Sequence, residues 1–348
     1  MIRPPFELNA IKKSELILAQ LNKLTCHHAD NCDTYKRYLD AYGVDIGGAN
    51  DLAELPYLPA RAFKELDLKS VVDKSITKTL TSSGTSGLRS RIHIDGRTSI
   101  KQSRALSEIL KSYIGVKKLP LLIIDAPSMG DNASVFSARS AGTLGFSGLA
   151  SDKVFALDED FNLNIKEIER FLTRFGDSEF MIFGFTFLIW QSLVINDVPD
   201  ALLRRMANGR LFHGGGWKKL SSLGISDSTF KNELFSRFGL INIHNYYGMA
   251  EQTGSVFIEC EHGRMHASKY SEVLIRNLND FEVLQAGEKG VIQVFSSLPE
   301  SYPGHSILTE DLGWIEHDVL CQCGRNGTAI HVEGRIERAE IRGCSDVY

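Results

Sequence analysis

Apolar residues recur at helical spacing near the start of the chain, at Leu8, Ile11, Leu16, Ile17, Leu21 and Leu24, and predict a helix over residues 7–24. A second helix is expected over 32–42, with Tyr35, Tyr38 and Leu39 on one side. Prolines at 56 and 59 make an extended lead-in to a short helix within 55–72. Strand and helix patterns then alternate. Lys78–Thr81 reads as a strand, 99–115 as an amphipathic helix ending at Gly115, and Pro120–Ala126 as a strand buried on both faces. After a turn at Pro127–Gly130, the small-residue-rich Ala133–Gly148 suits a helix and Val154–Leu157 a short strand. Ile165–Phe175 carries Ile168, Phe171, Leu172 and Phe175 in helical register. Phe180–Phe185 is a second buried strand, with helices at Thr186–Ile195 and 226–238 and a strand at Leu240–Tyr247. Beyond residue 250 the pattern becomes β-rich, at Ser255–Glu259, Ser271–Ile275 and Gly290–Phe295, and suits an antiparallel barrel or distorted sheet. This order predicts an α/β protein of packed sheets with a β-rich subdomain.

Composition narrows the class. The 348 residues are 43% hydrophobic, enough for a sizeable core, and the net charge of −4 argues against a nucleic-acid surface. No segment reaches the roughly 18 apolar residues that a membrane span needs. The longest candidate, Phe180–Ile195, is broken by Gly184, Thr186 and Gln191, and Met1–Pro5 lacks an apolar signal region. Six cysteines in a chain this long do not form a disulfide framework, and their spacing suits metal and thiol chemistry in a reducing cytoplasm.

Candidate chemistry falls on loops at strand ends, where open α/β sheets hold ligands. Thr81-Ser82-Ser83-Gly84-Thr85-Ser86-Gly87 offers hydroxyl donors and a glycine backbone that can curve around phosphate, with Arg89 and Arg91 following. Its lysine-free spacing is not that of a P-loop, and a surface turn between strands is the plain alternative. Tyr247-Gly248-Met249-Ala250-Glu251 pairs an aromatic wall for a base with a hard oxygen ligand for Mg²⁺, or else is a strand-end turn with a solvated glutamate. Gly214-Gly215-Gly216 permits close approach to a planar ring, and Thr309–Gly313 reads as a turn where Asp311 accepts bonds from ribose hydroxyls. Gly334-Arg335 is the fifth element.

In this order and spacing the loops resemble those of the adenylate-forming superfamily of acyl-CoA synthetases, luciferases and adenylation domains. The resemblance implies that Ser82–Gly87 holds the ATP phosphates, that Tyr247–Glu251 covers adenine and supplies the Mg²⁺ ligand, and that Asp311 and Arg335 contact the nucleotide. It departs from the superfamily in lacking the lysine usual after the phosphate loop. The chain also ends at Tyr348, soon after Gly334, where the superfamily normally continues into a mobile C-terminal domain carrying a catalytic lysine. Pro56-x-x-Pro59-x-x-x-Phe63-Lys64 and the Gly-Cys after the Gly-Arg motif resemble the acyl-protein synthetases, the ATP-dependent subunits of the fatty-acid reductase of bacterial bioluminescence, and their relatives. The implied organisation is a helical lead-in (1–75), an α/β nucleotide-binding core (76–250), a β-rich subdomain (251–335) and a tail (336–348).

The thiols add two expectations. Cys260-x₅-His266 and Cys321-x-Cys323 supply a closed Cys₃His set suited to a structural Zn²⁺, with His262 as a competing ligand and free hairpin thiols as the alternative. Phenylacetate–CoA ligase-like relatives carry a similar pattern. Cys26-His27-His28 and Cys32 read as packing or capping residues rather than a second metal site. Arg342 favours a thiolate at Cys344, and the resemblance implies that this cysteine accepts the acyl group. The alternative is an incidental thiol.

The expected reaction is attack of a carboxylate, a fatty acid by resemblance, on the α-phosphorus of Mg·ATP, then transfer of the acyl group to Cys344 and on to a partner reductase or carrier, with a hetero-oligomer as one arrangement. Phe183, Phe185, Phe187 and Phe212 are candidate walls of an acyl pocket, or plain core. A CoA ligase and a non-catalytic nucleotide-binding scaffold are the competing readings.

Overall fold

A computed structural model describes residues 4–44, 46, 48–81, 89–127, 135–196, 198–215, 217, 220, 223–316 and 320–336, with 135–140, 200 and 201 described by backbone alone. They group into two units. The first draws on Met1–Tyr113, Ala133–Ala138 and Tyr247–Glu340, the second on Ile114–Asn132 and Arg139–Tyr246.

In chain order the first unit opens with α1 (Ala10–Asn31), α2 (Asp33–Ala41), the two-residue strand β1 (Leu58–Pro59), the one-turn helix α3 (Ala62–Glu65), strands β2 (Ile76–Thr81) and β3 (Arg91–Asp95), and α4 (Gly96–Ile114). β4 (Leu119–Ile124) belongs to the second unit, and β5 (Val135–Ser137) returns to the first. The second unit continues through α5 (Ala138–Ser147), β6 (Ala150–Phe155), α6 (Ile165–Phe175), β7 (Phe180–Phe185), α7 (Thr186–Ile189), α8 (Asp200–Leu203), β8 (Gly209–Gly214), α9 (Asp227–Phe238) and β9 (Asn242–Tyr247). The first unit resumes with β10 (Phe257–Ile258), β11 (Met265–His266), β12 (Ser271–Arg276), β13 (Gly290–Ser296), β14 (Ser306–Ile315) and β15 (Ala329–Arg335).

In the second unit, parallel strands run in the order β9-β8-β7-β4-β6. Every residue of β7 is buried, which is why its sequence is apolar without alternation. Ile168, Phe171 and Leu172 of α6 and Phe230, Leu234 and Phe238 of α9 pack in one core with Leu122, Phe180 and Ile182. Each such side chain contributes roughly 1.5–3 kcal/mol by leaving water. Asn164 caps α6 and Ser226 caps α9, each accepting a backbone N–H three residues on. Gly239, at φ 68°, ends α9 in the left-handed conformation. The single helix expected over Thr186–Ile195 is instead an α-helical turn followed by a π-helical turn at Trp190–Ile195.

In the first unit, β11-β15-β14-β13-β12 form an antiparallel sheet, with β1 parallel against β14. β3-β2-β5 form a smaller sheet. Ile17 and Leu21 of α1 pack with Leu55 and Phe295. The apolar face expected for α1 is rotated: Ile11 is 75% exposed, whereas Lys13 is 3% exposed. The Lys13 ammonium lies 2.9 Å from Glu272 Oε2 and donates to the Ala267 carbonyl at 2.9 Å, so its burial is compensated. The helix runs on to Asn31 because Thr25 and His28 also have buried partners. Thr25 donates to the Leu21 carbonyl. His28 Nε2 donates to the Pro299 carbonyl at 3.2 Å, and its Nδ1 accepts from Ser70 at 2.8 Å. Among the described residues no helix is long and apolar enough to cross a membrane.

The turn expected at Thr309–Gly313 is a correction. These residues lie inside β14, paired with β13 on one side and β15 on the other. The glycine belongs to a bulge between Leu312 and Gly313, where a Cβ would stand 2.1 Å from the His331 carbonyl oxygen.

Candidate active site

Tyr247 ends β9, and Gly248-Met249 leads into a 3₁₀ turn, Ala250–Gln252. Gln252 pins this turn by donating to the carbonyls of Val294 (3.1 Å) and Gly304 (2.9 Å). Gly304 lacks a side chain because a Cβ there would lie 2.7 Å from the Glu251 carbonyl oxygen. Glu251 is 8% exposed, so it is not the solvated glutamate of the plain sequence reading. Burial raises its pKa, and Ser90, the Arg335 guanidinium and the Lys64 ammonium oppose that rise. A buried carboxyl offers a hard oxygen for a divalent ion, whose charge would favour the ionised form.

Asp311 stands across the β14–β15 ladder from Arg335. Its Oδ2 accepts from the Tyr247 hydroxyl at 2.7 Å, and its Oδ1 lies 3.8 Å from Arg335 Nε. The Asp311 N–H donates to Thr309 Oγ1, whose own hydroxyl donates to the Ile292 carbonyl at 2.7 Å. Burial raises the Asp311 pKa, while Tyr247 and Arg335 hold it back. Burial and the neighbouring carboxylate drive the Tyr247 hydroxyl well above the usual phenol range, so it remains a donor. The sequence identifies Tyr247 for its ring. Its tether to Asp311, 64 positions along the chain, is found only in the folded first unit, to which both residues belong.

Other expected residues fall as follows. Arg91 opens β3 opposite Thr81, and Arg89 lies two residues before it. Ser82, Ser83, Gly84, Thr85, Ser86 and Gly87 lie outside the described residues, as do Gly216 and Cys344. Gly248 packs against Val256, and Met249 is half-buried in extended conformation. In the second unit, Gly214 is the last residue of β8, where a Cβ would meet the Tyr246 carbonyl oxygen at 2.5 Å and its ring at 2.9 Å. Tyr246 is thus one planar ring that packs close against Gly214. Gly215 follows at φ 70°. Phe183 and Phe212 are fully buried, and Phe183 stacks on Phe146 with centroids 4.2 Å apart. Phe185 packs with Leu157 and Leu188, and Phe187 is half-buried.

The Cys/His residues converge. One ligand atom from each of Cys260, His266, Cys321 and Cys323 lies within 4.8 Å of all the others. Cys260 Sγ is 3.7 Å from Cys321 Sγ, and Cys323 Sγ is 3.4 Å from His266 Nε2. A zinc tetrahedron with arms of about 2.3 Å to sulfur has edges of about 3.7 Å, so the set fits a Zn²⁺ ion. The backbone N–H of His262 donates to Cys260 Sγ and that of Arg325 to Cys323 Sγ, both at 3.4 Å, as suits thiolate acceptors. His262 thus meets the cluster through its backbone, and His266 supplies the imidazole. His266 Nδ1 faces the Gly327 carbonyl at 3.4 Å, which leaves the Nε2 lone pair toward the sulfurs.

The family model described as "Acyl-protein synthetase, LuxE" matches residues 2–348. The chain belongs to the acyl-protein synthetase family. Membership makes it a ligase. It is similar to the long-chain-fatty-acid–luciferin-component ligase of Vibrio harveyi, 22% identical over 334 residues, 92% of this chain and 83% of the relative. The enzyme of the same name from Aliivibrio fischeri is 22% identical over 328 residues, 91% and 84% of the two chains. Among solved structures, an open conformation of 2-hydroxyisobutyryl-CoA ligase in complex with 2-HIB-AMP and CoA superposes with TM-score 0.75 at 15% identity, covering 96% of this chain and 77% of that one. ATP-bound MatB from Rhodopseudomonas palustris gives TM-score 0.52 at 14% identity, covering 85% and 52%. The acyl-protein synthetase thus has the fold of adenylate-forming acyl-CoA ligases.

Proposed function

We propose that this acyl-protein synthetase activates a long-chain fatty acid with Mg·ATP and passes the acyl group to its own Cys344 and then to a partner reductase. The observation that carries this reading is the joining of Tyr247, Asp311 and Arg335 beside a buried Glu251 in a chain of this family.

A carboxylate oxygen attacks the α-phosphorus, the bond to the bridging oxygen of the β-phosphate breaks, and pyrophosphate leaves. Asp311 accepts from the ribose hydroxyls, with its oxygens aimed by Tyr247 and Arg335. Glu251 holds Mg²⁺, which neutralises phosphate charge, and Ser82–Gly87 with Arg89 and Arg91 cradles the phosphates. Gly248 and Met249 are assigned to nucleotide binding, as, separately, are Gly214, Gly215 and Gly216 of the second unit. The Cys344 thiolate then attacks the acyl carbonyl, a thioester forms, and AMP leaves. Cys260, His266, Cys321 and Cys323 hold a structural Zn²⁺ with no position open for chemistry. The protein works in the cytoplasm.

Intact-protein mass after incubation with Mg·ATP and a panel of fatty acids tests the route. A hydroxylamine-labile adduct at Cys344, absent from Cys344→Ser while pyrophosphate release persists, is the expected result. Pyrophosphate release without an adduct points to CoA or a carrier as acceptor. Neither signal with any acid leaves a nucleotide-binding scaffold.

A further inference from the structure

Lys64 closes the Pro56–Lys64 motif but is given no role in the reading above, and the fold brings it to the candidate site. β1 pairs in parallel with β14, Leu58 opposite Ile307 and Pro59 opposite Leu308, and the Ala60 N–H donates to the Leu308 carbonyl at 2.9 Å. The segment is thereby zipped to the residues that run directly into Thr309 and Asp311. The next turn, α3, packs against β3, the strand that follows the phosphate loop. Phe63 is fully buried, edge-on to Tyr302 at 6.2 Å, and Tyr302 lies beside Gly304, which touches the Glu251 backbone. Arg61 and Glu65 pair with each other at 2.6 Å on the exposed side of the turn. Lys64, next to the Phe63 anchor, is half-buried, and its ammonium favours the ionised form of Glu251.

We propose that Lys64 grips the β- and γ-phosphates of ATP beside Glu251, a role that rests on the adenylation reading above. Three considerations support it. The stretch Thr81–Arg91 offers arginines but no lysine, and a flexible ammonium with three donors follows a departing pyrophosphate better than a planar fork does. The leaving group accumulates negative charge, so a nearby cation stabilises the transition state. The anchors on either side of Lys64 hold its backbone in place, which limits the entropy lost on gripping the phosphates.

The test compares Lys64→Met, Lys64→Arg and wild type as full chains. Dissociation constants for Mg·ATP and for AMP are measured by calorimetry, with pyrophosphate release and thermal melting alongside. Lys64→Met is expected to weaken Mg·ATP binding about ten- to hundred-fold while AMP binding changes less than about two-fold, and Lys64→Arg is expected to restore most of the loss. Unchanged Mg·ATP binding overturns the proposal. So does an equal loss of ATP and AMP affinity with a lowered melting point, which would mark a structural lysine. If wild type binds Mg·ATP but releases no pyrophosphate with any acid, the adenylation reading fails, and the ATP–AMP comparison still decides Lys64.

Discussion

The Tyr247 hydroxyl donates to one oxygen of Asp311 at 2.7 Å while Arg335 faces the other at 3.8 Å, so both sides of the carboxylate are held by residues from different strands. Tyr247→Phe keeps the ring and removes the donor. The KM for ATP is expected to rise about five- to fifteen-fold, equivalent to about 1–1.5 kcal/mol. Burial already raises the Asp311 pKa and Tyr247 restrains it, so losing Tyr247 moves that pKa further up. The acid limb of the pH–activity profile should therefore shift to higher pH. Unaltered KM and an unshifted limb would show that the hydroxyl does not orient Asp311 for substrate.

Metal analysis of the purified protein by plasma mass spectrometry is expected to find about one zinc ion per chain. Cys323→Ser should abolish it and lower the melting midpoint by roughly 10 °C, because binding energy of a structural ion is folding energy. Metal-free protein with an unchanged melting point would reduce the cluster to three thiols and an imidazole packed together.

His28 and His305 are buried with rings stacked 5.0 Å apart, beside His27, Tyr35, Thr25 and Ser70, none of which supplies a negative charge in mild acid. Burial, then His27, pushes His305 down to about 3, and burial also holds His28 well below its usual value. Both folded-state values lie below the unfolded value of about 6.5, so the unfolded chain binds more protons between them. Stability is then full above neutral pH and falls as pH drops below about 6.5 toward 3. For His305 the loss is about 2 kcal/mol by pH 5, and His28 adds to it in the same direction. Urea midpoints at pH 7.5 and 5 measure it, and His305→Gln should flatten the dependence. A midpoint independent of pH over that range would contradict the buried neutral pair.

Lys13→Ala leaves Glu272 buried without its cation and should cost about 3–5 kcal/mol in urea unfolding. Lys13→Met combined with Glu272→Leu should recover most of that, since the penalty comes from the orphaned charge rather than from the absent pair. A double variant no better than the single would mean that the lysine's bond to the Ala267 carbonyl is the larger contribution.

Much of the architecture is legible along the chain, and the exceptions have physical causes. β7 is evident because a strand covered on both faces has no polar side to show. The Cys/His set is evident because ligand chemistry limits which residues can converge, although the pairing of β11 with β15 that brings them together is not local. Lys13 misleads because its countercharge is Glu272, far along the chain. Thr309–Gly313 misleads because Asp and Gly suit turns, whereas here both are fixed by neighbours on either side of β14. The tie between Tyr247 and Asp311 joins residues 64 positions apart, and no local pattern encodes it.

The bulge between Leu312 and Gly313 makes the edge of this sheet a counting device. Side chains on a strand change faces at each residue, so the extra residue sets the parity with which β15 meets β14. Arg335 stands opposite Asp311 only for one value of that parity. Without that two-to-one pairing, a β15 of the same length would bring Gly334 opposite Asp311 and turn the guanidinium of Arg335 to the opposite face. The meeting of Arg335 with Asp311 is thus set by the count of residues along β15 and by the bulge that absorbs Glu333, rather than by any one side chain between them.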